Sequence, residues 1–220
     1  LNIPSIISAA ELTNCDSIHP GYGFLSEDPE FSKICIDNNI NFIGPPPHTI
    51  NLMGNKSKAR ETVESIGVPI IPGSDGIIDN VNECKDLANK IGYPVILKAS
   101  SGGGGKGMRI VHNETDIEQS FLSAQSEAMA SFNDDSLYLE KFIEEPRHIE
   151  IQILADFEGN TISLGERECS IQRRNQKIIE ESPSVAVNEE LRSKMADVAI
   201  KISKSVNYVG VGTIEFLLDK

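Results

Sequence analysis

The chain has few basic residues for its size. It holds 20 Lys and Arg against 33 Asp and Glu, which gives a formal net charge of −13 at pH 7. Nucleic acids and membrane surfaces are polyanions, so this shortage of positive charge argues against either as a general partner. A site for an anion therefore has to be built from a local group of cations.

The chain also lacks paired cysteines and long apolar runs. Its four cysteines lie far apart and form no C-x-x-C pair, which indicates reduced thiols in a cytosol-like compartment and no structural zinc. No apolar run approaches the length of a membrane span, and no basic-then-apolar leader is present. With 220 residues and 39% hydrophobic content we expect a soluble globular protein. Because the chain starts at Leu1 and stops as a strand is finishing, we interpret it as a piece of a longer protein.

Glycine and positive charge are concentrated in one stretch, residues 98–109. Five glycines lie between a short apolar strand at 94–97 and a second strand at 108–111. Glycine has no Cβ, so its backbone N–H groups can turn toward a phosphate, and countercharge comes from Lys98, Lys106 and Arg109. A flexible linker is the alternative, but a linker would have polar flanks. The pattern predicts a hairpin whose tip covers a phosphate, and its spacing matches neither the P-loop nor the Rossmann motif.

The rest of the chain alternates helical and strand patterns. Over residues 1–72 we predict strands at 15–18, 41–44 and 68–72 with helices between them, which is typical of a parallel α/β sheet. In residues 73–142, helices at 81–92 and 115–131 accompany the hairpin and a strand at 136–142. In residues 143–220 we predict strands at 148–154, 161–168 and 210–218, and a helix from Asn188 whose apolar stripe faces a core.

Several polar positions have both a structural and a functional interpretation. The turn at 19–23 follows a strand, where it is either a ligand loop or a plain tight turn. Lys56 lies in the first turn of a helix, where its charge opposes the helix dipole unless an anion binds there; a solvated lysine is the alternative. The strand at 148–154 carries His148, Glu150 and Gln152 on one face, which is either a ligand surface or a solvated sheet face.

Two further features concern charge. Residues 167–177 contain four basic residues without interleaved aromatics, which favours a floor for phosphate or a small anion over a nucleic-acid patch. Glu215 lies among apolar neighbours, where a buried carboxylate needs a partner. That partner is either a lysine or arginine, or a magnesium ion held for nucleotide phosphates.

Six motifs, taken together and in this order, resemble biotin carboxylase, the ATP-grasp subunit of acetyl-CoA carboxylase. They are HPGYGFLSE (19–27), LMGNK (52–56), KASSGGGGKGM (98–108), PRHIEIQ (146–152), ERECSIQRR (166–174) and GTIEF (212–216). The resemblance runs from end to end and implies an α/β (α+β) ATP-grasp fold. It assigns residues 1–72 to the C-terminal part of the biotin carboxylase N-terminal domain and its linker, residues 73–142 to the lid subdomain, and residues 143–220 to the first part of the ATP-grasp C-terminal subdomain.

The resemblance also implies a reaction. ATP and bicarbonate form carboxyphosphate, and the carboxyl group then passes to the ureido nitrogen of biotin on a carrier domain. The cofactors would be ATP and Mg²⁺ or Mn²⁺, with biotin as the carrier-bound substrate. The partners would be bicarbonate, biotin carboxyl carrier protein, carboxyltransferase subunits and a second copy of the parent chain in a homodimer. The location would be the cytoplasm, or the plastid stroma of an alga or plant.

The site residues implied by the resemblance follow the motif positions. The ATP ligands would be Lys56, Lys98, Gly104, Gly105, Glu140, Lys141, Ile143, His148, Gln172 and Asn175. Lys56 and Lys98 would contact phosphates, and Gly104 and Gly105 would lie in the covering flap. Glu140, Lys141 and Ile143 would frame adenine, and His148, Gln172 and Asn175 would lie near the ribose. Asn175 replaces a histidine that is usual in the bacterial pattern, so an amide would make that contact. Lys177 would lie against bicarbonate as the catalytic residue, Tyr22 beside biotin, and Glu215 would hold the magnesium.

Two other functions are alternatives. Another ATP-grasp ligase, such as a carbamoyl phosphate synthetase-like enzyme, would share the flap and the adenine frame, although the turn at 19–27 and the run at 172–174 favour the biotin enzyme. A non-catalytic module would bind ATP without turnover. The chain stops before the family's second magnesium carboxylate and its N-x-R-x-Q-x-x-x-E segment, so we expect the 220 residues alone to be catalytically inactive.

Overall fold

A computed structural model describes residues 1–101, 106–173 and 176–219, and at residues 56 and 57 it describes the backbone only. The chain forms two compact units, each built from segments that are separated in sequence. The first unit comprises Leu1–Ile66, Glu150–Arg167 and Pro183–Glu215, and the second comprises Gly67–Ile149, Glu168–Ser182 and Phe216–Lys220. Within the described residues, no helix combines the length and apolar character needed to cross a membrane.

The first 66 residues contain helices around a small parallel pair of strands. The helices are α1 Ile3–Leu12, a 3₁₀ turn at Phe24–Glu27, α2 Pro29–Asp37, α3 Pro47–Gly54 and α4 Lys56–Ser65, and the strands are β1 Ser17–Ile18 and β2 Asn41–Phe42. The parallel pairing of β1 with β2 confirms the predicted α/β arrangement. Phe31 of α2 contacts Phe42 edge to face, with 5.9 Å between ring centroids, and both side chains are buried.

The first unit is completed by residues far along the chain. Helix α7 spans Glu189–Ser205, and its predicted apolar stripe is buried at Met195, Ala199 and Ile202. The hydroxyl of Thr49 in α3 donates to the carbonyl oxygen of Val206, just after α7, at 2.7 Å, and this hydrogen bond is buried. Segments 157 residues apart are therefore joined inside one unit.

The core of the second unit lies between a sheet and two helices. Its elements are α5 Val81–Ile91, β3 Val95–Ala99, β4 Met108–Val111, a 3₁₀ turn at Glu114–Asp116, α6 Ile117–Phe132 and β5 Leu137–Lys141. The strands form an antiparallel sheet in the order β4-β3-β5, which confirms the predicted pairing of the two strands that flank the glycine segment. The predicted start of a helix at residue 81 is also confirmed: the side chain of Asn80 caps this helix by accepting hydrogen bonds from the N–H groups of Asn82 and Glu83.

A second sheet is built from four longer strands in the order β8-β7-β6-β9. These are β6 Arg147–Ala155, β7 Thr161–Arg173, β8 Gln176–Glu181 and β9 Gly210–Leu218. Strand β7 continues five residues past the predicted end at 168, and β8 was not predicted. The basic segment at 167–177 thus belongs mostly to an antiparallel pair of strands rather than to a loop.

One prediction for residues 47–72 was wrong, and one helix there was not predicted. Residues 68–72 are not a strand; the nearest sheet contact there is a single bridge between Gly73 and Glu140. Pro69 and Pro72 have no N–H group to donate to a neighbouring strand, so a regular ladder cannot form. Helix α3 was not among the predicted helices; Pro47 occupies its first turn, where proline is tolerated.

Candidate functional site

Lys98 and Glu140 form an ion pair on one face of the β4-β3-β5 sheet. In the register of β3 and β5, Lys98 lies opposite Tyr138 and Ile96 lies opposite Glu140, so the two charged residues are diagonal neighbours. Their side chains are 26% and 14% exposed. The Lys98 ammonium also lies 5.9 Å from the centroid of the Tyr138 ring. An ammonium group has three donors, so Lys98 can bind an anion while it stays paired with Glu140.

The ends of the glycine segment are fixed by helix α6 and the turn after it. Gly107 has φ +67°, and a Cβ at this position would lie 2.8 Å from the Cβ of Ala99. Arg109 donates to Glu127 of α6 at 2.7 Å, and this guanidinium, together with the Gly107 N–H, lowers the pKa of the Glu127 carboxyl. On the other side, the Ser101 hydroxyl donates to Asp134.

Asp134 links Ser101, at the start of the glycine segment, to Ser136, just before β5. The hydroxyls of Ser101 and Ser136 lower the pKa of the Asp134 carboxyl, and the Ser136 N–H donates to Asp134 at 3.0 Å. The Ser100 N–H donates to the carbonyl oxygen of Ser136 at 2.8 Å. The predicted phosphate-covering glycines Gly104 and Gly105 lie outside the described residues.

Lys141 is bound to backbone carbonyl groups. Its ammonium donates to the carbonyl oxygens of Gly92 and Tyr93, each at 2.9 Å. These carbonyls follow α5, where a cation also interacts favourably with the helix dipole. Lys141 therefore links β5 to the end of α5, and the nearby Ile143 is half-buried in the segment after β5.

The residues predicted near the ribose and bicarbonate come together in the second unit. Gln172 Nε2 lies 3.1 Å from His148 Nδ1 and donates to the carbonyl oxygen of Cys169 at 2.9 Å. The His148 N–H donates to the Ser170 hydroxyl at 3.0 Å. Lys177 lies directly opposite Gln172 in the β7–β8 register and is exposed. The fourth member of this predicted set, Asn175, lies outside the described residues.

In the first unit, Glu215 lies beside a second carboxylate. Glu215 is exposed on β9, rather than buried among its apolar neighbours as the sequence suggested. One of its carboxylate oxygens lies within 4.8 Å of one from Glu150, which is 2% exposed and is held by Arg167. Two oxygens at this separation, one of them on a rigid buried side chain, suit a divalent cation such as Mg²⁺. The sequence placed Glu150 on a strand face that was either a ligand surface or a solvated face, but it did not assign Glu150 to the metal.

Two further predicted residues lie in the first 66 residues. Tyr22 is 95% exposed between Gly21 and Gly23, whose positive φ angles of 77° and 67° favour glycine. Lys56 begins α4, which Asn55 caps by accepting a hydrogen bond from the Lys58 N–H at 3.0 Å. The side chain of Lys56 is outside the described part of the structure.

Comparison with known proteins gives matches along the whole chain. Residues 1–50 match the family described as biotin carboxylase, N-terminal domain, and residues 55–220 match the family described as carbamoyl-phosphate synthase L chain, ATP binding domain. The chain is 57% identical over 220 residues to a biotin carboxylase of Nostoc sp., covering all of this chain and 49% of that protein. It is 52% identical to the chloroplastic biotin carboxylase of Arabidopsis thaliana, covering all of this chain and 41% of the relative.

Solved structures agree with these matches. A biotin carboxylase from Campylobacter jejuni in complex with β,γ-ATP superposes with a TM-score of 0.93 at 55% identity, over all of this chain and 49% of that one. The biotin carboxylase domain dimer of the Hydrogenobacter thermophilus 2-oxoglutarate carboxylase, in complex with MgADP, ADP and bicarbonate, gives a TM-score of 0.90 at 47% identity, again over all of this chain and 49% of that one.

These neighbours have the ATP-grasp fold, which confirms the predicted fold class. The chain belongs to the family of the carbamoyl-phosphate synthase L chain ATP-binding domain, preceded by a match to the biotin carboxylase N-terminal domain, and its relatives at 57% and 52% identity are biotin carboxylases. It spans about half the length of the curated relatives it matches.

Proposed function

We propose that the full-length gene product is a biotin carboxylase, which carries out the first half-reaction of acetyl-CoA carboxylase in fatty acid synthesis. The observation that carries the proposal is the position of Lys98. Its ammonium group is partly buried and lies at the base of the hairpin whose two strands flank the glycine segment. Glu140, on the same sheet, holds this group by an ion pair. A cation fixed in this way offsets the charge that develops during phosphoryl transfer without first having to reorganise.

The reaction has two steps. A bicarbonate oxygen attacks the γ-phosphorus of ATP, the bond to the β,γ-bridging oxygen breaks, and ADP leaves carboxyphosphate behind. The ureido nitrogen of biotin then takes the carboxyl group, and inorganic phosphate and the ureido proton are released. Exclusion of water protects the labile mixed anhydride between the two steps.

The sequence-predicted roles are part of this proposal. The ATP-binding set is Lys56, Lys98, Gly104, Gly105, Glu140, Lys141, Ile143, His148, Gln172 and Asn175. Lys177 would bind bicarbonate, and its position opposite Gln172 supports this role. Tyr22 would contact biotin, and its exposed ring supports that role. Mg²⁺, held by Glu215 with Glu150 beside it, would neutralise phosphate charge when bound.

Partners, location and domain limits are proposed on the same basis. They are a biotin carboxyl carrier protein, carboxyltransferase subunits and a second copy of the chain in a homodimer; the Hydrogenobacter thermophilus relative is described as a dimer. The compartment would be the cytoplasm, or the plastid stroma as in the chloroplastic relative. The division at residues 72 and 142 stays a prediction.

The test is ADP release by the full-length gene product with free biotin as acceptor. We expect release that depends on both bicarbonate and biotin. A carbamoyl-phosphate-forming ligase is the second candidate, favoured by the description of the family that matches residues 55–220. ADP release that needs bicarbonate and ammonia but not biotin would establish that candidate, and ATP binding without any turnover would indicate a binding module.

A further inference from the structure

Arg167 on β7 donates to two side chains of the neighbouring strand β6. Its Nε and Nη2 atoms donate to Oε1 of Glu150 at 2.9 and 2.6 Å, and its Nη1 atom donates to Oε1 of Gln152 at 2.7 Å. Glu150 and Gln152 are two positions apart on a strand, so they project from the same face. One planar guanidinium group therefore fixes both side chains.

Gln152 extends this arrangement to β9. Its Nε2 atom donates to the carbonyl oxygen of Gly212 at 2.6 Å. Because Arg167 uses the amide oxygen of Gln152, the amide nitrogen has to face β9. Gly212 precedes Glu215 by three residues on this strand. Hydrogen bonds from Arg167 through Gln152 thus hold the strand that carries Glu215.

Burial of the Glu150 carboxylate costs free energy. Glu150 is 2% exposed, and a buried ionised carboxylate is costly unless a charged partner compensates it. Arg167 provides that partner and holds Glu150 where one of its oxygens lies within 4.8 Å of an oxygen of Glu215. A guanidinium has no acceptor atom, so Arg167 cannot itself bind a cation.

We propose that Arg167 is a positioning residue for the divalent cation that accompanies ATP: it holds Glu150 against Glu215 and, through Gln152, fixes the strand of Glu215. The inference rests on the proposed function, in which Glu215 binds Mg²⁺. It assigns to Arg167 a geometric role that is separate from its charge.

The geometric role and the charge of Arg167 have opposite effects on cation affinity. If Arg167 acted only as a nearby positive charge, its removal would strengthen cation binding because a repulsion is lost. If Arg167 positions the carboxylates, its removal weakens binding, because outer groups that orient metal ligands are typically worth about 10- to 100-fold in affinity. The sign of the change therefore separates the two roles.

The test measures Mn²⁺ binding to the full-length gene product in the presence of ADP, by the electron paramagnetic resonance signal of free Mn²⁺. We expect Arg167→Gln to weaken Mn²⁺ binding by roughly tenfold or more. Arg167→Lys keeps the charge but loses the planar fork, so it should also weaken binding. The matched control is Arg147→Gln, which removes an arginine of β6 that donates to another buried carboxylate, Glu168, at 2.6 Å. It should leave Mn²⁺ affinity close to that of the unmutated protein.

Mn²⁺ affinity that is unchanged or higher in Arg167→Gln, or equally reduced in Arg147→Gln, would overturn the inference while the proposed function stands. If the unmutated protein binds no Mn²⁺ with ADP, both fall. Should Arg167→Gln fail to fold, Gln152→Leu serves as the second variant. It keeps the Arg167 pair with Glu150 but removes the bond to Gly212, and we expect a smaller loss of affinity; no loss would contradict the part assigned to β9.

Discussion

Glu140 is the charged partner of Lys98, although the resemblance to biotin carboxylase assigns Glu140 to adenine and Lys98 to phosphate. The two residues lie on adjacent antiparallel strands and project from the same sheet face. A carboxylate at this position restrains the lysine side chain through the ion pair. The two predicted roles are therefore coupled, and a change in one residue should alter the behaviour of the other.

Lys98→Gln should weaken ATP binding by the full-length gene product. A hydrogen bond between charged groups is worth enough to predict a loss of roughly 10- to 100-fold in affinity. Isothermal titration with MgATP measures the change. Lys90→Gln is the matched control, since Lys90 is an exposed lysine of α5 in the same unit. Equal ATP affinities for Lys98→Gln and the unmutated protein would remove Lys98 from the site.

Gly107→Ala should destabilise the protein more than Gly159→Ala. Both glycines have positive φ, +67° and +86°, so each substitution should cost roughly 1–2 kcal/mol of backbone strain. Only at Gly107 would the new Cβ also meet another atom, Ala99 Cβ at 2.8 Å, which adds roughly 1–3 kcal/mol of overpacking. Urea denaturation of the two variants measures the difference. Equal free energies of unfolding would show that the hairpin base accommodates a side chain at this position.

Glu166→Gln should destabilise the first unit at neutral pH. Glu166 is 3% exposed and accepts hydrogen bonds from Arg192 Nε at 2.8 Å and Nη2 at 2.8 Å. Breaking a buried ion pair from one side costs about 3 kcal/mol. Glu189→Gln is the control, because Glu189 also pairs with Arg192 but its side chain is 86% exposed.

The effect of Glu166→Gln should depend on pH. Arg192 holds the pKa of the Glu166 carboxyl below its usual value of 4.5. A lowered folded-state pKa means that the ionised carboxylate contributes stability above about pH 4.5, and that this contribution is lost as the pH falls through the folded-state value. The difference in unfolding free energy between Glu166→Gln and the unmutated protein should shrink on acidification below 4.5. A difference independent of pH would contradict the ion-pair explanation.

Among the four cysteines of this chain, fast thiol reactivity should be confined to Cys15. Cys15 is exposed, whereas Cys35, Cys84 and Cys169 are buried. Burial raises the pKa of the Cys84 thiol to about 12, so Cys84 has almost no thiolate at neutral pH. Of these four thiols, an aromatic disulfide reagent should titrate one rapidly, and Cys15→Ser should abolish this phase. A fast phase that persists in Cys15→Ser would show that one of the buried cysteines becomes accessible.

Local sequence signals predicted much of the fold. The hairpin around the glycine segment, the helix that begins at residue 81 and the apolar stripe of α7 follow from local patterns, and the structure contains each of them. The strand predicted at residues 68–72 was wrong. An apolar, β-branched run is typical of a strand, but the prolines in this run cannot donate the hydrogen bonds of a ladder. Strand β8 was missed because all of its residues are exposed. Its sequence therefore lacks the alternation of apolar and polar residues that predicts a strand.

The candidate site was less predictable than the fold. The motifs located Lys98, His148 and Gln172, but not which side chains they contact. The pairing of Arg167 with Glu150 and Gln152 depends on the register of β7 against β6, and no pattern within either strand contains that information. The alternation of polar and apolar residues along β6 predicted which side chains share a face of the strand. It did not predict that Arg167 would contact them.

The buried hydrogen bond from Thr49 to Val206 affects when the early part of the chain can complete its folding during synthesis. On the ribosome, the apolar cluster of the second unit, from Ile78 to Leu139, is available once that continuous stretch has emerged. Helix α3 is translated early, but it gains this buried hydrogen bond only after synthesis has passed α7. A nascent chain paused before residue 206 would therefore hold α3 without one of its buried hydrogen bonds.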